Sequence, residues 1–183
     1  ATRARTAARQ AQILAAAACC FGEHGFHAAS IAQISRAAGM SPGHIYHYFA
    51  NKEAIIAAII AADLERNLQV AEHLRADAAL ITASVEHAVE SVHQKLDPAC
   101  AALELEIVAE AARNERVAAM LRKADAAQRC GFATTLRAIR QNFGHDDSDA
   151  EITAMCELIA ALFEGLPVRR IANPDIDRTA VAQ

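Results

Sequence analysis

Tryptophan is absent from this 183-residue chain, and glycine and proline are scarce, at seven and four residues. So few turn formers leave little room for the closely spaced turns of an all-β domain. Long apolar runs are missing too. The longest, "AIIAAIIAA" at 54–62 and "ILAAAACCF" at 13–21, stop far short of the roughly 20 residues that span a bilayer. The N-terminal "ATRARTAARQ" is basic but has no apolar stretch of the signal-peptide kind. A soluble, cytoplasmic chain without membrane contact is expected. The five cysteines form an odd set with no CxxC spacing, and the adjacent pair Cys19 and Cys20 is poorly spaced for a disulfide. They are read as reduced thiols filling small apolar core positions.

What the chain does have is alanine, leucine and isoleucine, which bring hydrophobic residues to 54% with no sustained strand-like alternation. An all-α protein follows. A first amphipathic helix is expected from about Thr2 to Glu23, with Ile13, Leu14, Ala17 and Phe21 on one face and "HG" as its stop. Ser30 and Gln33 fit a capping box for a short second helix striped by Ile31, Ile34 and Ala38. Gly39 suits the left-handed residue that ends it, and Ser41 followed by Pro42 starts a third helix within about three residues. "NKE" at 51–53 opens a long fourth helix. Further helices are expected over Asp77–Leu96, from the "DP" at 97–98 to about Arg113, over Asn114–Phe143, and from Asp149 to about Ile171 with a bend at Gly165 and Pro167. The tail after Asn173 is unassigned.

Charge divides the chain as well. Residues 1–52 carry five basic groups (Arg3, Arg5, Arg9, Arg36, Lys52) against Glu23, a local +4, although the whole chain is at −4; the remainder therefore holds −8. A basic part facing an anion and an acidic part with another task are implied.

Both tyrosines and two of the eight histidines fall within five residues, in "GMSPGHIYHYF" at 39–49. Two short helices joined by a glycine-containing turn match a helix-turn-helix. At 100° per residue Ile45 and Phe49 share a side and must be buried on Ile34 and Phe21, so Gly43, His44, Tyr46 and His47 point outward. Rings with hydrogen-bonding edges suit the major groove, Gly43 permits close approach, the Ser41 hydroxyl and the helix start suit phosphate, and Lys52 adds a cation for the backbone.

Residues 21–56, "FGEHGFHAASIAQISRAAGMSPGHIYHYFANKEAII", resemble the DNA-binding signature of the TetR (tetracycline-repressor) family of bacterial regulators. The resemblance implies phosphate or base contacts from Ser30, Ser41, Gly43, His44, Tyr46, His47, Tyr48 and Lys52, with Arg3 and Arg5 as a basic arm. His44 departs from the threonine or other small polar residue more usual at its position. "ELEIVAEAARNERVAAMLRKAD" and "LIAALFEGLPVRR" look like the family's effector and dimerisation helices. The expected organisation is a helix-turn-helix head, residues 1–50, and a larger helical ligand-binding and dimerisation domain, residues 51–183, linked by the helix from Asn51. The partners expected are a double-stranded inverted-repeat operator, a small-molecule effector and a second copy of the chain, the last through the helices at 115–143 and 149–171.

Only Phe132, Phe143 and Phe163 among the eight aromatic residues lie outside the head, too few for an aromatic cage. An aliphatic pocket lined by His93, Leu103, Ile107, Met120 and Phe132 is expected, for an apolar effector with one polar end. Other classes of function fit less well. Glu90 and His93 make one Glu-x-x-His pair, and Glu104, Glu106 and Glu110 add carboxylates, but a di-metal bundle needs two such pairs. Cys100 near His93 lacks an orienting third residue for nucleophilic catalysis. A thiol-based sensor through Cys100, Cys130 or Cys156 remains a second reading of the regulator. No catalytic residue, resident metal or cofactor is expected.

Overall fold

The computed structural model describes residues 2–76 and 79–182, with the side chains of Thr2, Arg3 and Ala76 outside the description. Among these residues there are nine helices and no strand: α1 (Thr2–His24), α2 (Ile31–Ala37), α3 (Pro42–Tyr48), α4 (Lys52–Ala76), α5 (Leu80–Lys95), α6 (Pro98–Ala111), α7 (Glu115–Asn142), α8 (Asp149–Ala172) and α9 (Arg178–Ala182).

The local chemistry explains most boundaries. Gly25, at φ +81°, takes the left-handed conformation that a side chain would resist, and α1 ends there. Ser30 caps α2 with its hydroxyl on the Gln33 N–H, while the Gln33 side chain returns to the Ser30 N–H at 2.8 Å. Gly39, at φ +61°, closes α2 in a Schellman arrangement: its N–H donates to the Arg36 carbonyl and the Met40 N–H to the Ser35 carbonyl. Ser41 then caps α3, its hydroxyl accepting from the His44 N–H, and Pro42 occupies the first turn, where its missing N–H costs nothing.

Further along, the expected start of α5 at Asp77 lies outside the described residues, and the helix is described from Leu80. α8 begins with a second capping box, Ser148 with Glu151, and continues through Gly165 and Pro167 to Ala172. The unassigned tail contains α9, whose first N–H groups are capped by the Asp177 carboxylate and which packs on α5. The thiols divide: Cys20 and Cys156 are buried as expected, but Cys19, Cys100 and Cys130 are exposed. Burial pushes the Cys20 and Cys156 thiols above the ordinary value, which keeps them protonated.

The chain forms two compact units. The first runs to Ala62 and takes in Ala102–Leu121; the second is Asp63–Ala101 with the chain from Arg122 onward. The core of the first includes Ile13, Phe21, Ile34, Ile45, Ile55, Ile56 and Val117, each at most 1% exposed. Full burial of a side chain of this kind stabilises by about 1.5–3 kcal/mol, so this cluster is what fixes the short helices α2 and α3 to α1. Leu96, Ala101, Ile152, Cys156 and Pro167 are buried in the second unit.

Candidate nucleic-acid interface

The face of α3 follows from its packing. Ile45 is fully buried and Phe49, at the C-cap, is 7% exposed, which leaves Gly43, His44, Tyr46 and His47 on the solvent side. Tyr46 is 55% exposed, a large amount for a phenol ring in a seven-residue helix. Gly43 is helical with no close neighbour: a Cβ built there would meet nothing within 4 Å. Neither backbone conformation nor internal crowding calls for glycine at this position.

Tyr48 is half-buried and organises the rings around it. Its ring stacks on His44, centroids 5.5 Å apart and planes 21° apart, and meets His47 edge-on at 5.1 Å. The i, i+4 spacing makes the first contact possible, and it holds the His44 imidazole against the helix surface. A tyrosine expected to touch DNA thus also packs against both of its histidine neighbours within the chain.

Lys52 is also placed differently from the expectation. Its ammonium donates to the carbonyls of Phe26 (2.6 Å), His27 (3.0 Å) and Ala29 (2.8 Å) and lies 4.9 Å from the Phe26 ring centre. Three donors on three carbonyls complete the ammonium's hydrogen bonding, so this cation ties down the α1–α2 loop rather than standing free at the surface. Burial draws its pKa below the ordinary lysine value, with the charge of Glu110 acting in the opposite direction. Ser30, likewise, spends its hydroxyl on Gln33, donating to Oε1 at 2.7 Å and accepting from the backbone N–H. Ser41 is exposed, and its oxygen accepts from the His44 N–H at 3.3 Å. Arg5 is exposed on α1, and the Arg3 side chain lies outside the described residues.

Sequence reasoning missed the polar ties that hold this head in shape. Gln12 donates from Nε2 to the Ala38 carbonyl at 2.8 Å, fixing α1 to the end of α2. The Phe26 N–H donates to Glu106 Oε1 at 2.7 Å, and His27 Nε2 lies 2.9 Å from Glu110 Oε2. Glu110 is 1% exposed and accepts also from Asn114 Nδ2 (3.0 Å) and Arg113 Nε (3.2 Å). Burial works to raise its pKa; the hydrogen bonds from Asn114 and Arg113 and the charges of His27 and Arg113 outweigh that, leaving the carboxyl below the ordinary glutamate value. The one available signal was Glu106 and Glu110, four residues apart on a mostly apolar helix whose remaining charge is Glu104.

The other candidate residues lie on other elements. Among the described residues no group of three or more His, Cys, Asp or Glu side chains is arranged to hold a metal, and Glu106 and Glu110 are engaged with the α1–α2 loop. Of the expected pocket residues, Leu103, Ile107 and Met120 belong to the first compact unit, His93 and Phe132 to the second. Met120 is 38% exposed and the other four are half-buried. No described helix is long and apolar enough to cross a membrane.

α8 carries a different kind of outward face. Ile152 and Cys156 are buried, and Met155, Ile159, Phe163 and Leu166 are half-buried. Leu158 and Leu162, however, are 68% and 71% exposed, and Val168 and Ile171 are exposed as well.

Comparison with known proteins assigns this architecture. Residues 13–59 match the family model described as bacterial regulatory proteins, tetR family, and residues 83–183 match that of the BetI-type transcriptional repressor, C-terminal. The chain belongs to the TetR family. It is similar to the HTH-type transcriptional regulator UidR of Escherichia coli, 41% identical over 111 residues, which are 61% of this chain and 56% of UidR. The match therefore spans little more than half the length of that relative. AcnR of Corynebacterium glutamicum, an HTH-type transcriptional repressor, is 38% identical over 59 residues, 32% of this chain and 31% of AcnR. Among solved structures, Salmonella enterica GusR is 32% identical and superposes with a TM-score of 0.74, covering 95% of this chain and 86% of GusR. The fatty acid degradation regulator FadR of Bacillus halodurans shares the fold, with a TM-score of 0.77 at 20% identity over 93% of this chain and 92% of FadR. UidR and AcnR are named as HTH-type transcriptional regulators, and this chain, as a member of the TetR family, is a helix-turn-helix transcriptional regulator.

Proposed function

We propose that the chain is a repressor that binds an inverted-repeat operator as a homodimer and is released from it by a small apolar effector. The observation that supports DNA reading most directly is the outward face of α3, where His44, Tyr46 and His47 surround an open glycine while Ile45 is fully buried. In this reading residues 1–50 are the DNA-binding head. His44, Tyr46 and His47 read base edges, and Gly43 allows the helix backbone to approach the groove. Ser41, Arg5 and Arg3 contact phosphates. Ser30, Tyr48 and Lys52 act mainly by holding the head in shape, as their bonds within the chain favour.

Residues 51–183 hold the dimer surface and the effector pocket. One recognition helix reads too few base pairs to be selective, and a two-fold dimer supplies the second, which in turn asks for an inverted repeat. The exposed leucines of α8 favour that helix as the dimer surface. The effector pocket is assigned to His93, Leu103, Ile107, Met120 and Phe132, aliphatic apart from one ring and one imidazole. The decisive experiment is selection of duplexes from a random pool by the purified protein, followed by gel-shift titration. Recovery of a palindromic site bound by two chains is the expected result; recovery of no sequence preference would overturn the reading.

A further inference from the structure

The loop between α1 and α2 is held from three sides, and two of the three holds come from α6. Its Phe26 N–H donates to Glu106 and its His27 ring meets buried Glu110, while the carbonyls of Phe26, His27 and Ala29 all receive Lys52. Glu106 and Glu110 are four residues apart, so they stand on one face of α6 a single turn from each other. The assigned pocket residues Leu103 and Ile107 lie on the same two turns of α6. Glu106 also sits below Gly25, where a Cβ would stand in ordinary contact with its carboxylate at 3.5 Å.

The consequences run through α2. Its N-cap, Ser30, is the residue immediately after the clasped segment, and α2 in turn packs on α3. A shift of α6 by the length of a hydrogen bond cannot leave Phe26 and His27 in place, because Glu110 is buried and fixed by Asn114 and Arg113. We infer that Glu106 and Glu110 are positioning residues for DNA reading: they hold the α1–α2 loop, and through it the α2–α3 pair, in register with α6. This rests on the proposed reading of α3 and assigns the regulation of that site to a particular contact. Displacement of α6 breaks the clasp and degrades sequence selectivity before it degrades the head's attraction for phosphate.

The test uses the full chain and two duplexes, one selected by the wild-type protein from a random pool and one of scrambled sequence. Glu106→Leu removes the acceptor for the Phe26 N–H, whereas Glu106→Gln keeps an amide oxygen able to accept it. The expected result is a fall of about tenfold in the ratio of selected to scrambled affinity for Glu106→Leu, with the scrambled affinity unchanged. Glu106→Gln should restore the ratio, and backbone amides at 26–30 should exchange with deuterium faster only in the leucine variant. The coupling is reciprocal, so the selected duplex should slow exchange at 106–111 in the wild type and fail to do so in Glu106→Leu. Equal selectivity in wild type and leucine variant, or equal losses in the leucine and glutamine variants, would overturn the inference and leave the DNA reading standing. A wild-type protein that selects no sequence would overturn both.

Discussion

Two outward faces of this chain carry residues that water alone does not favour, and they differ in kind. On α3 the exposed groups are His44, Tyr46 and His47, rings with polar edges beside an unoccupied glycine. On α8 they are Leu158 and Leu162, one turn apart, with no polar edge at all. A ring that both stacks and hydrogen-bonds suits a partner presenting donors and acceptors in a fixed pattern, such as base edges in a groove. Bare aliphatic side chains gain only from being covered, and an apolar protein surface covers them best. The contrast therefore sorts the proposed partners by chemistry: nucleic acid at α3, a second copy of the chain at α8.

The largest expected effect comes from reversing the chemistry of the α8 face. Leu158→Asp with Leu162→Asp places four carboxylates in a two-fold interface, and charged groups left unpaired on burial cost several kcal/mol. Sedimentation should show the 19.5 kDa monomer at micromolar concentration, and the circular dichroism of the helices should persist because both side chains are exposed within the chain. A variant that sediments as the wild type does would remove α8 from the interface. Next in size are Tyr46→Ala and His47→Ala. Each is expected to cost about 1–3 kcal/mol of operator binding per half-site with no change in melting temperature, and gel-shift and thermal melts check the two halves of that statement.

Lys52→Met should act on the fold instead. It leaves three carbonyls of the 26–29 segment without their donor, an effect of about 1–3 kcal/mol on stability measured by urea titration. Loss of affinity for all sequences without loss of stability would instead restore a direct phosphate contact. Glu110 supplies a pH dependence of the same order or smaller. Its carboxyl lies below the ordinary value of 4.5, so the folded chain takes up this proton less readily than the unfolded chain. The stabilisation is complete above that value and is lost as the pH falls through the lower folded one. The gap in urea midpoint between wild type and Glu110→Gln should be widest near neutrality and close as the pH falls through the lower folded value.

The sequence made the caps and turn of the head legible because these are local devices: Ser30 with Gln33, Gly39, and Ser41 with Pro42 all act within five residues. The buried side of α3 was legible for the same reason, since Ile45 and Phe49 are related by helical period alone. The loop clasp was not. Glu106 meets Phe26 across 80 residues and Lys52 meets Phe26 across 26, and no periodicity links them. The carbonyl partners of Lys52 were not legible because a lysine beside a helix-turn-helix has two uses, a phosphate and a set of carbonyls, that look the same in sequence. Of the open leucines of α8, Leu162 belongs to the wide apolar stripe that runs from Ile152 to Leu166 and is legible in the sequence, whereas Leu158 lies outside it. The capping box of Ser148 with Glu151 is a local device of the same kind, legible in "SDAE" at 148–151.

The smallest expected effect separates the two faces most cleanly, because stability and binding should move in opposite directions. Glycine inside a helix costs roughly 0.5–1 kcal/mol relative to alanine, through the freedom it retains in the unfolded chain. At Gly43 the backbone is helical and an added methyl would meet nothing, so Gly43→Ala should raise the stability of the free protein by about that amount. If α3 lies in a groove with its backbone close to DNA, the same methyl group takes space that the nucleic acid needs, and operator affinity should fall severalfold while sedimentation of the dimer is unchanged. Thermal melts and gel-shift titration of one protein preparation give both signs. A stabilised variant with undiminished operator affinity would show that the glycine face is simply open to water, and DNA reading would then rest on the rings alone.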